Sequence, residues 1–256
     1  MAVRSVKKAL GILSLFSTSK PSLGIAEISK QLALPKTTVH GLVKTLCEDG
    51  FLSRDPGTRK YSIGLKVVEL GTILAGSLKI NQVGAELAQR LSINTQHGSR
   101  LATWDSDSML ITLNTFPSVE YIQYQPVGPR VPAYCTALGK AVLSTFPDSE
   151  LDAYFERTPI HRYTPNGVTD KQQLLDHIYK ARENGYATEK SELLMGVSCI
   201  AVPIFDQIGT AIAAISLSGT PDTLMGEKQN DYVTQLVQTG IEISRRMGYR
   251  PEAIHT

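Results

Sequence analysis

Within the first 64 residues the spacing of apolar side chains switches from a helical period to a strand period, soon after a tight turn between two helical stretches. Helices repeat every 3.6 residues and strands every two, so few architectures satisfy that order. Val3, Val6, Leu10, Leu13 and Ile12/Phe16 fall at helical spacing, with Arg4, Lys7 and Lys8 on the other side. Small polar residues and Pro21 break the pattern from Ser17 to Ser22. Gly24 to Leu32 is a short second helix with Ile25, Ile28 and Leu32 inward; Gly24 serves as N-cap and Glu27 reaches back to free N–H groups. Ala33, Leu34 and Pro35 turn the chain, and Pro35 suits the first position of a third helix, where a missing N–H costs nothing. Val39, Leu42, Val43 and Leu46 are the buried stripe of that helix, which ends at Gly50. Arg54-Asp55-Pro56-Gly57-Thr58-Arg59-Lys60 then joins two short alternating runs, the second through Tyr61 and Ile63, as a β-hairpin. Helix, short helix, turn, helix and basic hairpin together make a winged helix-turn-helix.

Charge divides along the same line. The first 80 residues hold 12 of the 26 Lys/Arg and 5 of the 24 Asp/Glu, about +7, leaving 14 against 19, about −5, for the other 176. The formal +2 of the whole chain conceals a basic part suited to a polyanion and a larger acidic part. With the third helix in a major groove, its first turns meet base edges through Lys36, Thr37, Thr38, His40, Gly41 and Lys44. Arg54, Arg59 and Lys60 on the hairpin reach phosphates or a neighbouring minor groove. The plainer alternative, a solvated face, weighs on each residue singly, most on His40, and little on the ensemble.

The expected organisation is a DNA-binding domain over 1–64, a linker helix over 65–80 and a ligand-binding domain over 81–256. Leu65, Val68, Leu70, Ile73 and Leu74 are apolar on more than one side of the linker helix, which predicts packing at each end. After a helix near Val83 to Leu91 the chain reads as α+β. Strands are expected at Ser99–Trp104, Met109–Phe116, Tyr121–Tyr124, Tyr186–Thr188, Cys199–Phe205 and Ala211–Leu217, and helices at Thr136–Phe146, Lys171–Asn184 and Leu224–Met247. Short gaps at Asp105–Ser108 and Asp206–Gly209 point to antiparallel hairpins.

Two of these strands sort their residues by size. Cys199, Ala201 and Pro203 oppose Ile200, Val202 and Ile204; on the next strand Ala214, Ser216 and Ser218 oppose Ala213, Ile215 and Leu217. Paired, the small faces form a concavity carrying weak donors, or else room for a packed helix. The helix starting at Thr136 presents backbone N–H groups near Ala137 and Leu138, where a carboxylate would sit with Ser216 and Ser218 as further donors. Cys199 reads as lining, since no Lys, Arg or His lies near it in sequence to depress its pKa.

At 256 residues and 42% hydrophobic composition the chain can form two domains with substantial cores. It lacks both an apolar run of about 18 residues for a bilayer and a signal-peptide pattern, so a cytoplasmic protein without membrane contact is expected. Cys47, Cys135 and Cys199 are widely spaced and form no CxxC, which argues against a disulfide framework and a structural zinc site. No cofactor is expected. A cysteine-dependent enzyme using Cys199 or Cys135 with His161 or His177, and a zinc-responsive regulator, are the remaining alternatives; neither has supporting spacing.

The whole chain resembles transcriptional regulators of the IclR family. The resemblance rests on Leu34-Pro35-Lys36-Thr37-Thr38-Val39-His40, Ala137-Leu138-Gly139-Lys140-Ala141, Gly185-Tyr186-Ala187 through Glu189 to Gly196-Val197-Ser198-Cys199-Ile200-Ala201, and Ala213-Ala214-Ile215-Ser216-Leu217-Ser218-Gly219. It implies a homodimer paired through the DNA-binding domains, assembly to a tetramer through the effector domains, and a GAF-like effector domain with a curved antiparallel sheet flanked by helices. It further implies operator duplex DNA and a small organic anion as partners, with ligand positions at Ala137, Leu138, Glu189, Cys199, Ser216 and Ser218. Two positions depart from the family pattern: Gly41 stands where an exposed Arg is usual, and Glu189 where Asp is frequent. The first removes a DNA contact; the second moves a carboxylate inward, which either shrinks the pocket or favours a ligand hydroxyl over a second carboxylate.

Overall fold

The computed structural model describes residues 2–118 and 127–250, in two compact units, Met1–Gly76 and Ser77–Thr256. The first contains α1 (Arg4–Leu13), α2 (Ile25–Leu32), α3 (Lys36–Glu48), the hairpin strands β1 (Leu52–Arg54) and β2 (Tyr61–Ile63), and α4 (Lys66–Ser77), which runs one residue past the boundary. The expected cap of α2 forms: the Gly24 N–H donates to Glu27 Oε2 at 2.7 Å. Ala33 ends α2 in the left-handed conformation, φ 51°, and its N–H reaches back to the carbonyls of Lys30 and Ser29. Pro35 leaves that turn in an extended conformation, so it occupies the N-cap and Lys36, not Pro35, is the first helical residue. Ile12, Leu23, Ile28, Val39, Val43, Leu46, Leu52 and Tyr61 form the core, and Leu23 exchanges two 2.9 Å backbone hydrogen bonds with Tyr61, adding a bridge to the wing.

Two expectations for this unit change. The first helix stops at Leu13, and of its apolar stripe only Ile12 is fully buried; Val3, Val6 and Leu10 are 63%, 53% and 58% exposed. Likewise α4 buries none of its residues. Val68 and Ile73 are 64% and 68% exposed.

The second unit contains α5 (Lys79–Thr95), β3 (Gly98–Asp105), β4 (Ser108–Thr115), β5 (Arg130–Pro132), α6 (Ala137–Leu143), α7 (Asp148–Arg157), α8 (Lys171–Asn184), β6 (Ala187–Lys190), β7 (Ser198–Phe205), β8 (Ala211–Gly219), α9 (Pro221–Leu224) and α10 (Gln229–Met247). Its strands form one antiparallel sheet in the order β5-β4-β3-β8-β7-β6. Register shifts at Leu101/Ala102 and Ile204/Phe205 increase local twist and curl the sheet. One face carries Leu101, Ile200, Val202, Ile204, Ile215 and Leu217 into a core with Ile80, Leu91, Leu236 and Ile243 of α5 and α10. The other packs Ala102, Ala201 and Ala214 against Ala137, Leu138 and Ala141 of α6. A third cluster ties α6, α7 and α8 together through Leu143, Leu151, Tyr154, Leu174 and Ile178.

The strand expected at Tyr121–Tyr124 lies outside the described residues. The helix expected from Thr136 to Phe146 is confined to Ala137–Leu143, and the one expected from Leu224 is split into α9 and α10 by Met225–Lys228. Strand β5 and helix α7 had no counterpart in the sequence reading.

Candidate functional site

On the first unit Lys36, Thr37, His40 and Lys44 are exposed along α3, and Thr38 is half-buried. Arg54, Arg59 and Lys60 are exposed on the hairpin. Asp55 organises the hairpin loop by accepting the Thr58 N–H at 2.6 Å and the Thr58 hydroxyl at 2.8 Å. These bonds hold its carboxyl below the usual carboxylate range. Arg59 adopts a left-handed φ of 58°, an unusual position for a long side chain. The ammonium groups of Lys44 and Lys60 make long, exposed contacts, to Glu48 at 3.8 Å and Glu27 at 4.0 Å. Such pairs yield readily to a stronger anion. A side chain added at Gly41 would meet nothing within 4 Å.

On the second unit, the small faces anticipated on β7 and β8 do pair: Cys199 opposes Ser218, Ala201 opposes Ser216, and Pro203 opposes Ala214. Glu189 on β6 opposes Cys199, and Gly98 on β3 opposes Ser218. The adjacent row runs Ala187, Ala201, Ser216, Arg100, Asn114 from β6 across to β4. Part of this face accommodates a helix, since α6 rests on Ala201 and Ala214. Ser216 is fully buried, and its Oγ has no hydrogen-bond partner among the described residues. Leaving a buried hydroxyl unpaired costs about 1–3 kcal/mol.

Cys199 Sγ lies 3.2 Å from Ser218 Oγ. Desolvation pushes the Cys199 thiol up to about 11, the Glu189 carboxylate adds to that, and the Arg100 charge opposes it. A thiol so shifted is a poor nucleophile, consistent with a lining role. Glu189 is buried and accepts the backbone N–H groups of Glu192 and, at 3.4 Å, Leu193. Burial raises its pKa above the ordinary carboxylate value, and the Glu192 charge acts the same way. Ala137 and Leu138 are buried at the start of α6, where Thr136 Oγ accepts the Gly139 N–H at 3.2 Å.

Sequence reasoning missed two features. Arg100 joins the Ser216 row only through the β3–β8 register; the strand alternation Ser99–Trp104 would have placed it there had that pairing been known. The second feature is a buried ion pair. Lys140, with no exposed surface, donates from Nζ to Glu192 Oε1 and Oε2 at 2.5 and 2.7 Å and to His177 Nδ1 at 3.0 Å. Burial lowers the Lys140 pKa and the Glu192 charge counters it. Burial, then the Lys140 charge, lower that of His177. Lys140 therefore holds Glu192, whose N–H holds Glu189. A surface cavity of about 760 Å³ is lined by His177, Thr188, Lys190 and Glu192 among others; Ala137, Ser216 and Ser218 do not line it. Among the described residues no three His, Cys, Asp or Glu side chains converge as metal ligands, and no helix is long and apolar enough to cross a membrane.

Comparison with known proteins bears on both units. The family described as "Bacterial transcriptional regulator IclR C-terminal" matches residues 73–245, and "IclR helix-turn-helix domain" matches residues 5–56. The chain is 33% identical over 247 residues to the HTH-type transcriptional regulator XynR of Escherichia coli, covering 96% of this chain and 98% of the relative. The crystal structure of Thermotoga maritima IclR aligns with a TM-score of 0.73 at 27% identity, over 96% of this chain and 99% of that one. An IclR homolog from Microbacterium hydrocarbonoxydans, solved in complex with 4-hydroxybenzoate, shares the fold with a TM-score of 0.77 at 22% identity, over 95% and 98% of the two chains. XynR is a transcriptional regulator, and the agreement of both domain matches with the winged helix-turn-helix and the antiparallel-sheet unit establishes that this chain is a member of the IclR family of bacterial transcriptional regulators.

Proposed function

We propose that this regulator binds operator DNA through α3 and the β1–β2 hairpin, and that a small organic acid held on the Cys199–Ser216–Ser218 face modulates that binding. The observation that carries the effector reading is the fully buried Ser216 hydroxyl without a hydrogen-bond partner among the described residues, on a row of small residues beside Ser218. A ligand oxygen supplies the missing partner. Ala137 and Leu138 line the site from α6, Cys199 contributes its sulfur surface, and Glu189 is the acceptor for a ligand hydroxyl. The 4-hydroxybenzoate of the Microbacterium homolog is an acid of this class.

For DNA, Lys36, Thr37, Thr38, His40 and Lys44 face the bases and adjacent phosphates, and Arg54, Arg59 and Lys60 grip the backbone. Homodimerisation through the first unit is supported by the exposed Val3, Val6 and Leu10 of α1 and Val68 and Ile73 of α4, which a second copy would cover. The working division is DNA-binding over 1–64, linker over 65–80 and effector-binding over 81–256, with two dimers forming a tetramer through the effector domains.

Titration of an operator fragment with and without effector tests both halves. Replacing Ser216 and Ser218 together by Ala removes hydrogen bonds to a charged partner worth about 1.5–3 kcal/mol each, so effector affinity should fall at least tenfold while effector-free DNA binding stays at the wild-type level. Lys36→Ala and Arg59→Ala should each reduce the log–log salt slope by roughly 0.9. A double serine variant with full effector response, or a monomer protecting one short half-site, would falsify the corresponding half.

A further inference from the structure

The α6 helix is a weak anchor for an anion. It spans seven residues, and the Gly139 N–H in its first turn is already taken by Thr136 Oγ. A macrodipole of that length supplies little, because its effect depends on aligned and unsatisfied end groups. A carboxylate brought onto this face therefore needs a charged partner, and Arg100 is placed to be one. It lies directly across from Ser216 in the β3–β8 ladder, so the two side chains emerge on the same face with Cβ atoms about 5 Å apart. Arg100 is half-buried, and its charge is felt at Cys199. Planar guanidinium and planar carboxylate match in a two-pronged geometry.

Glu189 stands at the other side. From β3 to β6 there are three strand spacings, roughly 14 Å, a distance that two long side chains with a small acid between them can span. A second carboxylate beside the buried Glu189 would be repelled; a hydroxyl there donates to it.

We propose that Arg100 is the carboxylate-binding, specificity-determining residue of this face, and that the effector is a hydroxy acid with its carboxylate between the Arg100 guanidinium and the Ser216 hydroxyl and its hydroxyl donated to Glu189. The proposal rests on the reading of the Ser216–Ser218 face as the effector site. Neither residue type nor spacing on β3 assigns this role; the cross-strand register does.

The test uses the full chain, thermal shift and calorimetry, with gluconate and 4-hydroxybenzoate as hydroxy acids. Hexanoate and benzoate lack the hydroxyl, and adipate and terephthalate replace it by a second carboxylate. At least one hydroxy acid should bind at least tenfold more tightly than both of its counterparts. Arg100→Gln should weaken that acid at least tenfold and leave operator binding unchanged. Arg100→Lys keeps the charge and much of the bulk, guards against a folding defect, and should still lose several-fold because the two-pronged contact is gone. Glu189→Gln should narrow the gap between hydroxy acid and dicarboxylate. Unchanged affinity in both Arg100 variants, with loss in the Ser216→Ala/Ser218→Ala variant, overturns the Arg100 assignment and leaves the serine face standing. Unchanged affinity in the serine variant overturns the underlying site reading. Failure of every hydroxy acid to exceed its counterparts overturns the ligand class.

Discussion

A lysine with no exposed surface loses its hydration, and Lys140 recovers it through three short contacts to Glu192 and His177. The partners lie 52 and 37 residues away along the chain, which is why the sequence displayed Lys140 only as part of a helix start. Removing one member of a buried pair strands the other charge. Lys140→Met should therefore cost about 3–5 kcal/mol in denaturant unfolding, whereas Lys140→Met with Glu192→Leu should recover most of that loss. A double variant as unstable as the single one would mean that the aliphatic stem of Lys140, and not its charge, matters for seating α6. Ser216 was visible beforehand as a hydroxyl on the small-residue face of a strand, and Glu189 only through the family resemblance. Arg100 was not, because a strand partner more than a hundred residues away decides its neighbour.

At the scale of elements, two helical glycines behave oppositely. A Cβ at Gly139 would overlap the Cα and carbonyl of Ala133, so α6 descends to backbone contact with the turn before it. Backbone cannot give way as a flexible side chain can. Gly139→Ala should destabilise by about 1–3 kcal/mol or more and weaken effector binding with it. Gly41 on α3 faces open space, and Gly41→Ala should stabilise the first unit by about 0.5–1 kcal/mol. Thermal unfolding of the two variants separates these signs directly. Elements with local signatures were legible: the Gly24–Glu27 cap, the basic hairpin, and the size alternation of β7 and β8. Helix α7 was not, since Leu151 and Tyr154 are its only fully buried residues among Asp148, Glu150, Asp152, Glu156 and Arg157. Strand β5 is three residues long and ends in proline, too short to carry a period.

For the molecule as a whole, the charge asymmetry and the two compact units reflect one division of labour: a basic unit for a polyanion and an acidic one with the larger core. The sheet of the second unit is itself assembled from two pieces. β3 and β4 form one hairpin over residues 98–115, β6, β7 and β8 follow from 187 to 219, and the β3–β8 ladder joins them. Closing a loop of that length before any contact rewards it makes this ladder slow to form. Arg100 comes from the first piece; Glu189, Cys199, Ser216 and Ser218 come from the second. An effector bound between them as proposed would recognise neither piece alone, so it should stabilise the assembled sheet without guiding its assembly. Trp104, the single tryptophan of the chain, lies on β3 and reports on this unit alone. In stopped-flow fluorescence, saturating effector should leave the refolding limb of the chevron in place and lower the unfolding limb by the factor by which it stabilises the native state. Faster refolding with ligand would instead mean that the ladder is already closed at the rate-limiting barrier. The regulator's memory of its effector, on this account, is written in how long the loaded state lasts and not in how quickly the fold is reached.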